Sequence, residues 1–311
     1  MNWKQTLFWS FSAAAIFYYF LLFGVFVFVG QEEMQLFIPE WWYIREFLFQ
    51  PGGFCAVAGQ WIIQYYRQPM SAVVFHTVLL VGCGFMVYRI LRCFSDKTYL
   101  LFLSLLPVLY LVKMSIHGEY LVDGTVGVVL MLLVLSVSLK VRRAGSIAGY
   151  GIASTLFLCG QTGLLSVCYA FLYTLLALLR YKTSRQRLAA SACLIPALFI
   201  YLFSGWLGIP VPLSDGWMPE AYLEIQRLPH YYMYRVWTFF TLSIVGVALF
   251  ARFVPVIGEK SKWMDRVALV VCLITVLVSI RFCLPEPWHA QRMMLDELSF
   301  LARERQWDAI I

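Results

Sequence analysis

For most of its length the chain alternates apolar blocks of about twenty residues with short polar stretches, and ~20 residues is what an α-helix needs to cross ~30 Å of hydrocarbon. The pattern predicts about nine spans, near residues 6–29, 70–91, 98–114, 121–140, 146–160, 163–180, 188–208, 234–257 and 266–284. The block over 7–29 is too long for the apolar region of a signal peptide. Gly30-Gln31-Glu32-Glu33 follows it where a small-residue cleavage site would be needed, so it reads as an uncleaved first span. Gly160-Gln161-Thr162-Gly163 reads either as a tight turn between two spans or as a break inside one kinked element. The expected fold class is therefore all-α, a polytopic transmembrane helical bundle.

Some segments depart from this rhythm. Residues 38–50 open with Pro39 near a helix start and carry Trp41, Trp42 and Tyr43, the aromatic types that favour a membrane–water interface. Pro51-Gly52-Gly53 then breaks the chain. Beyond it Phe54, Val57, Ala58, Trp61, Ile62 and Tyr65 keep helical spacing, with Gln60, Gln64 and Arg67 on the opposite face, which predicts an amphipathic helix lying in the interface. Residues 209–233 form a proline-containing loop with a short helix expected near 219–228. From residue 286 charges interleave with Trp288, Leu295, Leu298 and Leu301 at helical spacing. The chain thus divides into a transmembrane domain, 1–285, and the start of an outer helical region, 286–311, resembling the first helix of a helical-hairpin repeat and expected to continue in a longer polypeptide. The alternative is a single surface helix at a natural C-terminus.

Charge supplies the orientation. The chain is 61% hydrophobic and 13% charged, against about a quarter charged in soluble domains. With Lys4 inside and the spans alternating, Arg89, Arg92, Lys97, Lys140, Arg142, Arg143, Arg180, Lys182, Arg185 and Arg187 all fall on the cytoplasmic side, as the positive-inside rule requires. Glu32, Glu33, Glu40, Glu46, Glu119, Asp123, Asp215, Glu220 and Glu224 fall on the other. The N-terminus is then cytoplasmic and the C-terminus outside. The net charge of +7 reflects this sorting and gives no ground for a nucleic-acid partner; membrane lipids are the expected neighbours. Of the eight cysteines most lie in apolar runs with no CxxC or Cys/His grouping, so they read as buried small hydrophobes.

Two acidic groups stand out as chemistry. Glu32 and Glu33 follow the first span, and Glu119 and Asp123 lie in His117-Gly118-Glu119-Tyr120-Leu121-Val122-Asp123-Gly124, between the third and fourth spans. A carboxylate at the end of an apolar span is partly desolvated, which suits it to accept a proton or hold a divalent cation. The structural alternative is that such acids only keep a loop hydrated. Asp123 is the sharpest case, because the residues after it are apolar as far as Lys140. His117, Arg67 and Arg235 are candidates for contacting a lipid or substrate; Arg235, among Tyr231, Tyr232, Tyr234 and Trp237, also fits a plain interfacial anchor. His76 inside the second span reads as a hydrogen-bonded core histidine or as a ligand. No Walker, Rossmann, HExxH or GxSxG pattern occurs, so no cofactor is expected, and the paired Gly/Pro breaks typical of many transporters are missing, which counts against an ion-coupled carrier.

Residues 31–37 (Gln-Glu-Glu-Met-Gln-Leu-Phe), 47–54 (Phe-Leu-Phe-Gln-Pro-Gly-Gly-Phe) and 61–69 (Trp-Ile-Ile-Gln-Tyr-Tyr-Arg-Gln-Pro) resemble an uncharacterised bacterial membrane-protein family, DUF6057. The resemblance implies a multi-span region followed by a helical-repeat-like region and a bacterial inner-membrane location, and it brings no catalytic residues. More distantly, the architecture is similar to that of C-superfamily membrane glycosyltransferases. These have a cytoplasmic N-terminus, amphipathic helices and an acid in the first outer loop, and often a second acid between spans three and four. That similarity implies Glu32 or Glu33 in the first position, Glu119 or Asp123 in the second, a polyprenyl-phosphate-linked donor, and a carboxylate acting as base or as ligand to a divalent metal. The chain lacks the Asp-rich signatures of that superfamily. The competing expectation is a non-enzymatic anchor that presents a C-terminal repeat region to protein partners outside.

Overall fold

The first apolar block folds as two helices, α1 (Trp3–Phe23) and α2 (Val25–Glu33). They open a computed structural model that describes residues 3–33, 37–97, 99–116, 120, 122–163, 165–203 and 240–250, with single positions at 252, 270, 274, 276, 277, 280 and 281. Gly24 marks the joint. Hydrogen bonds from Gly24 N to Phe20 O (2.8 Å) and from Phe28 N to Gly24 O (3.0 Å) carry the chain across it. Helix therefore continues past residue 29, the expected end of the first span, and Glu32 and Glu33 stand in the last turn of α2 rather than in a loop.

Two short helices follow, α3 (Trp41–Leu48) and α4 (Gly53–Ile63), the latter running into a 3-10 turn at Gln64–Arg67. Pro51-Gly52-Gly53 breaks the chain as expected. Gly52 has φ 83°, a left-handed conformation that a residue without Cβ adopts freely. At Gly53 a Cβ would lie 1.7 Å from the Phe47 carbonyl oxygen. Alanine there is expected to cost about 1–3 kcal/mol by forcing backbone apart. A fall in the thermal midpoint in detergent would report it, and an unchanged midpoint would show that the turn yields.

α3 buries none of its residues and exposes Trp41, Trp42 and, just beyond its end, Phe49, so it is the aromatic surface helix of this region. α4 differs from its expected form. Phe54, Trp61 and Tyr65 are exposed on one face, but Gln60 on the supposedly polar face is buried together with Cys55, Ala56, Gly59 and Ile63. Small side chains let this face press onto neighbouring helices, and Gln60 accepts a hydrogen bond from the Tyr43 hydroxyl at 3.0 Å. Periodicity identified the aromatic face correctly. On the other face Gln64 and Arg67 are exposed as expected, whereas Gln60 meets protein instead of water.

Next come α5 (Pro69–Leu91), α6 (Leu100–Leu103), α7 (Leu105–Ser115), α8 (Val122–Ser138), α9 (Ala144–Thr162), α10 (Leu165–Arg180), α11 (Ser184–Ser191) and α12 (Leu194–Leu202), and later α13 (Phe240–Phe250). Pro69 starts α5 at a position where its missing N–H is no loss. α9 ends at Gly163, whose φ of 61° turns the chain before Leu165, so 146–180 is two packed helices and not one kinked element. The expected span 188–208 begins later than predicted. α11, with Arg185, Gln186 and Arg187, is a polar helix capped by Thr183, and an apolar helix starts only at Leu194.

Among the described residues every regular element is helical. α1 and α5 are long and apolar enough to cross a membrane, whereas Leu100–Ser115, α8, α10 and α13 are apolar but shorter. α9 has the length, but Gly145, Ser146, Gly149, Gly151, Ser154 and Thr155 dilute its apolar content. The nine-span expectation is thus met in length and hydropathy by two helices. α5 packs on α1, α7 and α8, and α10 on α8, α9 and α12. Fully buried Phe20, Phe28, Tyr66, Tyr120, Tyr169 and Tyr173 fill the core, while Phe11 is 77% exposed and Ile195 71%. Large apolar side chains face outward along most of the helices, an exterior unlike that of a protein surrounded by water.

The connections α8–α9 and α10–α11 meet at one end. There the Tyr181 hydroxyl donates to Val141 O (2.8 Å) and Gln186 Nε2 to Arg142 O (2.7 Å), gathering Arg142, Arg143, Lys182, Arg185 and Arg187 in one region. At the other end Gly52 N donates to Gly160 O (3.1 Å), which ties the turn before α4 to the close of α9. The expected loop 209–233, Arg235, most of the last span and the region 286–311 lie outside the described residues.

Candidate functional site

The last turn of α2 and the start of α8 carry the two acidic groups, and a buried amide joins them. Gln31, fully buried, donates from Nε2 to the Tyr120 carbonyl at 2.7 Å. The Tyr120 hydroxyl in turn shares a hydrogen bond with Thr125 Oγ1 at 3.1 Å, inside the first turns of α8. Glu32 is half-buried beside Gln31. Glu33 closes the same helix.

Asp123 was expected in the connecting loop. It stands instead in the first turn of α8 and is completely buried. A negative charge is favoured there by the partial positive charge of a helix N-terminus. What covers it is α4. A Cβ on Gly59 would lie 2.0 Å from Asp123 Oδ1 and 3.0 Å from its Cα, so the carboxylate rests directly against α4 backbone. Among residue types glycine alone permits this approach.

Behind the carboxylate lies an aromatic nest. Tyr66, in the 3-10 turn after α4, is fully buried, and its hydroxyl is 2.7 Å from His76 Nε2 on α5. Burial pushes the Tyr66 phenol well above the ordinary tyrosine value, and the negative charge of Asp123 pushes it further. His76 stacks on Phe28 with centroids 4.2 Å apart and planes 9° from parallel, with Phe20 at 5.5 Å. His76 Nδ1 is buried and has no hydrogen-bond partner among the described residues. Of the two readings of His76, the hydrogen-bonded core position is the one its Nε2 contact matches.

Arg67 follows Tyr66 in the chain and is exposed at the end of the 3-10 turn. Glu119, His117 and Arg235 fall outside the described residues. The Gln31–Tyr120 hydrogen bond ties the helix end that carries Glu32 to the segment just before α8, in whose first turn Asp123 stands. Gly59, Tyr66 and Gln31 were not anticipated as members of the site. A glycine followed by a glutamine in the middle of an apolar helix was the available hint of a close, polar helix contact. Nothing local pairs Tyr66 with Asp123, which lies in another helix far along the chain.

The divalent cation that the glycosyltransferase similarity calls for needs several oxygen or nitrogen ligands. The described residues hold no group of three His, Cys, Asp or Glu side chains able to bind a metal, so no step below is routed through one. Six cysteines are described, none of them in a disulfide; Cys55, Cys83 and Cys193 are buried as expected of small hydrophobes, whereas Cys93, Cys159 and Cys168 are only partly buried.

Neither a curated protein nor a solved structure matches the chain. A family model described as a family of unknown function, DUF6057, matches residues 1–311. The resemblance carried by residues 31–69 therefore extends along the whole chain, which belongs to the DUF6057 family.

Proposed function

We propose that this chain is a multi-pass protein of the bacterial inner membrane, with about nine spans, its N-terminus cytoplasmic and its C-terminus outside, and that its outer face carries a lipid-dependent group transferase site. A sugar is passed from a polyprenyl-phosphate donor to a hydroxyl acceptor. Asp123 takes the acceptor proton as general base. Glu32, on the adjoining helix end, orients the acceptor, with Glu33 and Glu119 as further acids of the same face. Arg67 pairs with the donor phosphate through a bidentate guanidinium contact, and His117 and Arg235 are placed by chain order on the same side.

The observation that carries this reading is the buried carboxylate of Asp123 at the head of an apolar helix. A charge in such a place is costly and is rarely kept without a task. The outward-facing apolar side chains and the basic residues gathered at the opposite end support the orientation. Because α4 lies over Asp123, turnover requires α4 to part from α8, a contact that Gly59 makes through backbone alone.

The test uses the full chain in proteoliposomes with radiolabelled polyprenyl-phosphate sugar and hydroxyl acceptors. Transfer by the wild type that falls in both Glu32→Gln and Asp123→Asn supports the proposal. Full transfer in both variants would sink it. Silent acidic substitutions, together with loss of partner capture on deleting residues 286–311, would instead establish an anchor that presents its C-terminal region.

A further inference from the structure

A furrow of about 330 Å³ runs along the flank of the bundle and shares no residue with the site around Asp123. α1 lines it between Phe8 and Tyr19, α6 and α7 between Phe102 and Val112, and Val276 and Ile280 form the third side. The Phe8 and Phe102 rings meet edge to face at 5.2 Å and hold the first two walls together at one end. The lining is apolar apart from Tyr19 and Ser12, and the Ser12 hydroxyl already donates to the Phe8 carbonyl at 2.9 Å. Phe11 and Ile280 both line the furrow and are exposed, so it opens sideways to the surroundings of α1.

We propose that this furrow binds one acyl chain of an anionic phospholipid of the inner leaflet, with the lipid phosphate at Lys4. The proposal rests on the membrane topology given above and is independent of the transferase.

Length and width select the occupant. From Phe8 to Tyr19 α1 rises about 16 Å, close to the ~15 Å depth of one leaflet's hydrocarbon. With the first span expected over 6–29, this stretch lies mostly in its inner half. A helix from a second copy is about 10 Å across, and a piece of that length would displace several times the volume of the furrow. A single hydrocarbon chain is slender enough to enter.

Charge selects the head group. Lys4 precedes Phe8 by one helical turn, on the stripe that Phe8, Ala15 and Tyr19 continue into the furrow. Gln5 Nε2 donates to the Tyr88 hydroxyl at 2.8 Å, which sets the end of α5, with Arg89 and Arg92, beside the start of α1. Lys97 stands just before α6, and Asp96 next to it pairs with Arg92 at 3.1 Å. A surplus of positive charge is left where α1 meets the cytoplasmic surface, and it attracts a lipid phosphate. Lipid tails already lie in hydrocarbon, so the chain gains contacts without leaving water. Preference among lipids therefore comes from the head group.

The experiment places the full chain in phosphatidylcholine nanodiscs with a trace of phosphatidylglycerol whose acyl chain carries a photoactivatable diazirine. Mass spectrometry maps the labelled peptides, and a diazirine phosphatidylcholine is the neutral comparison. Wild type should be labelled between Phe8 and Tyr19 and between Phe102 and Val112, more by the anionic probe. Ala15→Trp fills the furrow from an exposed position and should abolish that labelling at an unchanged thermal midpoint. Lys4→Gln should lower labelling by the anionic probe about fivefold, the effect of one surface charge. Where Ala15→Trp fails to fold, Lys4→Gln decides alone. Equal labelling by the two probes in wild type, or labelling that persists in a folded Ala15→Trp, overturns the proposal. Loss of the anionic preference in Lys113→Gln and not in Lys4→Gln also overturns it, by moving the head group to the far end beside Val112. None of these readouts needs turnover, so such results leave the transferase standing. A chain that stays in solution without detergent or lipid would count against the membrane topology, and the proposal falls with it.

Discussion

Replacing Gly59 with alanine is expected to unseat α4 from α8 and to destabilise the protein. The new Cβ would fall 2.0 Å from Asp123 Oδ1, 2.6 Å from its Cγ and 3.0 Å from its Cα. A carboxylate oxygen can rotate away, but the α8 backbone cannot, so α4 must move. Overpacking of this kind costs about 1–3 kcal/mol. Losing the cover over a buried charge adds to that figure. Two measurements read the outcome: the thermal midpoint in detergent, and the rate at which a membrane-permeant maleimide modifies Cys55, which is buried on the same face of α4. The midpoint should fall and the rate rise. A protected Cys55 at an unchanged midpoint would show that α4 does not seat on Asp123 through Gly59.

Asp123→Asn should separate chemistry from architecture. Asparagine matches the carboxylate in shape and fills the same space beneath Gly59, so the helix packing should survive. It cannot take a proton from an acceptor hydroxyl. General-base loss of this kind lowers rates by about 10²–10⁴-fold, and transfer from the lipid-linked donor should fall by that factor while the thermal midpoint holds. Asp123→Leu is the informative contrast. It removes the buried charge and adds apolar volume at a crowded contact, so it should lose transfer and stability together. If Asp123→Asn transfers as well as wild type, the carboxylate serves only to join α8 to α4, and the transferase reading loses its base.

Much of this fold could be read along the chain because membrane-like patterning is local. An apolar block of the right length reports a helix whatever it packs against. The start of α5 at Pro69 and the break at Pro51-Gly52-Gly53 follow from backbone rules that need no tertiary partner. Two details that slipped have local causes too. α2 ran on through Glu33 because helix termini are set by hydrogen bonding more than by polarity, and the block 188–208 started late because α11 is a helix without being apolar.

The amino-acid pattern by itself determined that the chain is helical, which parts are apolar, where its basic and acidic residues alternate, and that Asp123 heads an apolar run. Each of these depends on residues near one another in sequence. Only the tertiary structure decided that α4 turns Gly59 and Gln60 toward protein, that Gln31 clasps Tyr120, and that the Tyr66 hydroxyl meets His76. Helical spacing shows which side chains share a face. Which face meets lipid, water or another helix depends on the fit of small and large side chains between elements far apart in the chain, and a glycine in α4 and a carboxylate in α8 reveal their match only when the two helices are brought together.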